Sequence, residues 1–175
     1  MSAVRACALP AAALLHDSVA QGAYADCFCI DVPVAVSHAA FVEAFYTTPV
    51  FRVERWILRW ALSRPSSDAD AHRLATGACD TFAAWIVRGR APDQLHLVDV
   101  TGRTQSWLMV AAVGDDAAPG GTRLYFGSAV MPARGRAKAS VRRGWLFRSL
   151  LGFHTLYSRV LLSAARSRVL AMRRG

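Results

Sequence analysis

The chain has 175 residues, 54% of them hydrophobic, and a positive mean hydropathy, which supports one buried core and excludes wholesale disorder. Its formal charge of +9 is segregated: residues 1–116 hold all twelve acids against nine basic residues, and residues 117–175 hold twelve basic residues and no acid. A surface of one sign creates a long-range field, so this segregation bears on partners more than on fold.

At the N-terminus, Arg5, the apolar stretch from Ala6 to Leu15 and the small residues Ser18 and Ala20 loosely mimic a secretory signal. The stretch carries a single side-chain charge, however, and Pro10 interrupts it. Residues 1–21 are therefore expected to form a lead-in segment packed on the body. Tyr24 to Val34 alternates as a strand, with Tyr24, Asp26, Phe28 and Ile30 on one side and Ala25, Cys27, Cys29 and Asp31 on the other, ended by Pro33. Ser37 is an N-cap for a short helix through Phe41, Ala44 and Phe45. Pro49 suits the first turn of a second helix running to about Leu62.

Ser63 to Ala78 is polar, small and proline-marked, and reads as a loop with one helical turn. Thr81 to Arg88 reads as a strand. Leu95 to Val113 is too long for one strand, and Thr101-Gly102 marks a turn or a bulge in it. Residues 114–121 form a hairpin loop leading into a strand from Thr122 to Met131. A basic linker, 132–144, precedes one long helix from Trp145 to Arg173. There Leu146, Leu150, Phe153, Tyr157, Val160 and Ala164 keep the spacing of a core-facing stripe, and Arg148, Arg159 and Arg166 fall together on another face. Arg148, His154, Arg159, Arg166 and Arg168 interrupt its apolar run, which argues against a transmembrane span.

This order is an α+β layout in which a curved antiparallel sheet can wrap the last helix. It is similar to the helix-grip fold of the START-like, or polyketide-cyclase-like, superfamily. More specifically, YADCF at 24–28, FYTTPVFRVERWILR at 45–59, the sheet segments GRTQSW and TRLYFGSAV, and GFHTLYSRVLL at 152–162 resemble a family of uncharacterised bacterial proteins. That family's START-like domain ends in a helix bearing a Phe-His pair, and it also occurs fused to epimerase-like proteins. The resemblance spans residues 22–166, leaves 167–175 as a basic tail, and implies a ligand cavity between sheet and helix. The first helix pair is short and the strand number is expected to be reduced. No catalytic residues come with the resemblance.

His154 is the sharpest polar signal, a mid-helix imidazole beside the apolar stripe, able to act as acid or base near neutral pH or to serve architecture alone. If the helix lines a cavity, His154, Tyr157 and Arg159 are placed to meet a ligand. On strand alternation Arg103, Gln105 and Trp107 share one face and Thr104 and Ser106 the other. Either set could line a cavity or form a solvated outer face. Tyr24, Asp26, Asp31, Glu54 and Asp99 show no paired-carboxylate spacing, and Asp26 is expected to pair with an arginine such as Arg55 or Arg159 in a structural bridge. Ser37, Ser106 and Ser128 lack a nucleophile-elbow setting, and phosphate-loop, dinucleotide and zinc-hydrolase motifs are absent.

Cys7, Cys27, Cys29 and Cys79 form no CxxC and have no suitably spaced His, so they read as free thiols of a reducing cytoplasm, with neither metal nor cofactor expected. The basic C-terminal third is read as a solvated arginine face, as a surface for anionic membrane or an acidic protein, or as a nucleic-acid grip. Its aromatics fall on the core stripe, which argues against nucleic acid. The favoured function is binding of a small, largely apolar ligand between sheet and C-terminal helix. The alternatives are a cyclase- or dehydratase-type enzyme using His154, and a cytoplasmic protein peripheral to membrane or to an acidic partner.

Overall fold

The computed structural model describes residues 3–62, 65–114, 120–132 and 142–173, with side chains for all of these except Glu54, 57–62 and 142–155. In chain order the elements are β1 (Arg5–Ala6), α1 (His16–Ala20), β2 (Tyr24–Val32), α2 (His38–Tyr46), α3 (Pro49–Leu62) and α4 (Asp68–Ala75). They continue with β3 (Thr81–Phe82), β4 (Trp85–Ala91), β5 (Gln94–Asp99), β6 (Thr104–Val113), β7 (Gly121–Val130) and α5 (Arg142–Met172). The strands form one antiparallel sheet in the order β1-β2-β7-β6-β5-β4-β3. The first long strand thus pairs with the last, and β3 to β7 follow as a meander.

Local chemistry sets the boundaries. Ser37 caps α2 by accepting from the Ala40 amide at 3.2 Å. Thr48 does the same for the Phe51 amide at 3.1 Å, just ahead of Pro49, whose missing N–H is harmless in a first turn. The segment read as a loop holds α4, two helical turns begun by a reciprocal capping box between Ser67 and Asp70. Gly102, at φ +73°, makes Thr101-Gly102 a turn between β5 and β6. Ala83, at φ +50°, divides β3 from β4. Those two breaks bring the sheet to seven strands, of which β1 and β3 supply two residues each.

Both faces of the sheet are covered. On one, Phe28, Ile30 and Val32 of β2, Leu108 of β6 and Leu124 and Phe126 of β7 pack with Phe41, Phe45, Tyr46, Phe51 and Leu74 of the helices. The helix α5 lies against α2, α3, β2 and β7. Among its described side chains, Ser158, Leu161, Leu162, Ala165 and Val169 are buried. Val160, assigned to the core stripe from sequence, is 43% exposed, and Tyr157 and Ala164 are half-buried. The seam is displaced by about one residue, or about 100° around the helix. Leu146, Leu150 and Phe153 lie outside the described side chains. The helix also runs through the boundary placed at residue 166, with Val169 2% exposed.

On the opposite face, Ala13 and Leu15 of the lead-in segment, with Ala23 just after it, cover Cys27, Trp107, Met109 and Ala129. Gly127 makes this possible, because a Cβ there would sit 2.9 Å from the Trp107 ring and 3.2 Å from Leu15. Among the described residues no helix is long and apolar enough to cross a membrane.

Candidate functional site

Three places gather polar groups. The first lies under the lead-in segment. Gln105 Oε1 accepts from Ser18 Oγ at 2.5 Å and from His96 Nε2 at 2.7 Å. Gln94 Oε1 accepts from Trp107 Nε1 at 2.8 Å and from the Leu14 amide at 3.0 Å, and Gln94 Nε2 donates to the Ala12 carbonyl at 2.9 Å. Burial holds His96 below the usual imidazole range, so it is neutral with its proton on Nε2. All five of these side chains are buried, and the network ties the lead-in segment to β5 and β6.

The second surrounds Arg55, itself 9% exposed. It donates to Ser66 Oγ at 3.1 Å, the Ser66 carbonyl at 2.6 Å and Asp68 Oδ1 at 2.7 Å. Asp68 also pairs with Arg52. The guanidinium stands 5.8 Å from the centre of the Phe82 ring. These bonds fasten α3 to the N-terminus of α4 and leave Arg55 committed to architecture. The expected pairing of Arg55 with Asp26 is therefore corrected: Asp68 takes Arg55, while Asp26 accepts from Ser128 Oγ at 2.6 Å across β2 and β7.

The third is a cleft of about 430 Å³ where the ends of β2, β6 and β7 meet α5, lined by Asp31, Val32, Pro33, Val113, Gly120, Gly121 and Arg166. Pro33 ends β2, and Gly121 opposite Val113 opens β7. A Cβ at Gly121 would sit 2.4 Å from the Val32 carbonyl oxygen, so only glycine allows the strands this close. Thr122 Oγ1 donates to the Val34 carbonyl and accepts from the Val36 amide, both at 2.9 Å, pinning the chain that leaves β2.

The charges at this end are unequally satisfied. Asp31 receives Arg123 Nε at 2.6 Å and Nη2 at 3.2 Å, and Arg5 Nη2 at 3.0 Å. Hydrogen bonds from Arg123 are the main reason its carboxyl titrates below the usual range, and Arg123 is held protonated in return. In Arg166, by contrast, the Nε is buried and has no hydrogen-bond partner among the described residues.

The residues singled out from sequence do not converge on this cleft. Gln105 and Trp107 belong to the packed network on the other face of the sheet. Arg103 is exposed in the β5–β6 turn, its amide donating to Asp99 Oδ1 at 2.9 Å. Tyr157 is half-buried against the helix-side core. The exposed Arg159 stands 5.6 Å from the centre of the Phe28 ring. His154 lies in α5, but its side chain is outside the described residues. Arg166, counted from sequence only as part of a basic face, is the described α5 side chain that lines the cleft. The sequence signal that could have marked it is its place one residue after the buried Ala165, at the edge of the true seam.

Among the described residues no three His, Cys, Asp or Glu side chains converge to hold a metal. The described lining of the cleft has apolar walls, one committed carboxylate and one guanidinium with a donor unpaired among the described residues. No family model matches the sequence, and no curated protein matches it.

Proposed function

We propose that the protein binds a small, largely apolar ligand between the sheet and its C-terminal helix. The observation that carries this reading is the cleft of about 430 Å³ walled by Val32, Pro33 and Val113, with Arg166 of α5 on its helix side. That volume falls within the range of small-molecule sites, about 300–1,000 Å³. The antiparallel sheet with the helices α2, α4 and α5 packed on one face supplies the α+β layout on which the resemblance to START-like proteins rests.

The test is native mass spectrometry of the full chain, purified from its producing host without denaturants. The expected spectrum shows a small-molecule adduct that is absent from Val113→Trp, in which the indole fills the cleft. A wild-type chain without an adduct, or an adduct that survives in Val113→Trp, overturns the reading.

A further inference from the structure

We infer that the ligand is an apolar monocarboxylate and that Arg166 binds its carboxylate. This rests on the ligand-binding reading above and adds the chemical class. A buried, unpaired donor is costly in a folded protein and calls for a partner, and among the described residues the Nε of Arg166 is such a donor in the wall of the cleft. A guanidinium remains charged at any physiological pH, and its Nε and a neighbouring Nη present two parallel N–H groups that match the two oxygens of a carboxylate. The carboxylate already in the lining cannot serve, because Arg123 and Arg5 hold both oxygens of Asp31.

Among the described side chains here, one acid with two arginines carries a net positive charge even before Arg166 is counted. A single carboxylate balances Arg166, whereas a phosphate dianion would call on more than one open donor. The remaining walls, Val32, Pro33 and Val113, are hydrocarbon, so the body of the ligand is apolar. The volume is at the lower end for ligand sites, which favours a chain or ring system of modest size over a diacyl lipid.

The test compares two probes of equal chain length, decanoate and 1-decanol, by isothermal titration of the full chain at pH 7.5. Decanoate should bind about tenfold to a hundredfold more tightly, as expected for a hydrogen bond to a charged group. Arg166→Met should bring decanoate down to the level of decanol and leave decanol unchanged. Arg166→Lys, which keeps the charge without the fork, should retain part of the preference and serves as the informative variant if Arg166→Met fails to fold. Equal affinity of the wild type for both probes, or a preference that survives intact in both Arg166 variants, overturns the carboxylate assignment and leaves ligand binding standing. Failure of both probes to bind, or undiminished decanoate binding by Val113→Trp, overturns the cleft as a ligand site.

Discussion

Two glutamine side chains make five hydrogen bonds, three of which tie residues 12–18 to the sheet, while a fourth engages a buried histidine whose burial makes stability sensitive to pH. His96 donates from Nε2 to Gln105 Oε1, and burial lowers its proton affinity below the ordinary imidazole range, opposed by the Gln105 bond and by Asp17 and reinforced by Arg88. His38 is lowered as well, again chiefly by burial. In both cases the unfolded chain binds a proton at a higher pH than the folded chain does. Stability is therefore full above about pH 6.5 and falls as pH drops from there toward the folded-state values, by at most about 1.4 kcal/mol per pH unit for each histidine. Urea midpoints measured between pH 7.5 and pH 5 should fall for the wild type and fall less steeply for His96→Gln. An equal slope in the two proteins would mean that His96 takes up its proton within the fold.

At the scale of elements, the decisive comparison is along α5. Leu161 is 1% exposed in the core and its neighbour Val160 is 43% exposed, although the sequence stripe gave the core position to Val160. Leu161→Ala should cost about 2–5 kcal/mol through lost burial and a cavity, and Val160→Ala no more than about 0.5 kcal/mol. Chemical denaturation of both variants checks this, and the reverse order would restore the sequence stripe. The error has a physical source. A helix with apolar residues on several sides, such as 156, 157, 160, 161 and 162, has more than one plausible seam, and only the facing residues of α2 and β2 select one. Elements punctuated by local chemistry were legible: Ser37 before α2, Pro49 at α3 and Gly102 between β5 and β6. The helix α4 was also written locally, in the capping box of Ser67 and Asp70, beneath a composition that resembles a loop. What covers the outer face was not legible, because Gln105 and Trp107 are buried by residues 12–23, more than 80 positions away in sequence. The cleft was hidden for the same reason, since it joins the ends of β2, β6 and β7 to a helix residue that sequence spacing sorted with the solvated arginines.

Over the whole molecule, the charge segregation seen in sequence is partly spent inside the fold. Of the basic residues after position 116, Arg123 is paired with Asp31, Arg168 donates to Thr47 Oγ1 at 2.6 Å, and Arg173 donates to the Ala35 carbonyl. Arg159 stands over the Phe28 ring. Among the described residues, Arg123 is the one of these paired with an acid, and the others contribute to the external field. The net charge of +9 should then attract anionic surfaces at low ionic strength and do so weakly at physiological salt, where the screening length is about 8 Å. Anionic vesicles and a random DNA duplex distinguish the sources of attraction. Binding to vesicles that persists at high salt requires apolar insertion as well as charge, and exposed Leu156 and Val160 on α5 are available for it. Binding to the duplex should fall log-linearly with salt, because each phosphate contact releases counterions. The expected result is binding to both at low salt, lost from the duplex as salt rises and retained in part on vesicles. Vesicle binding that disappears in parallel with duplex binding would reduce the basic surface to a screened field, and no binding to either at low salt would leave its arginines as a solvated face.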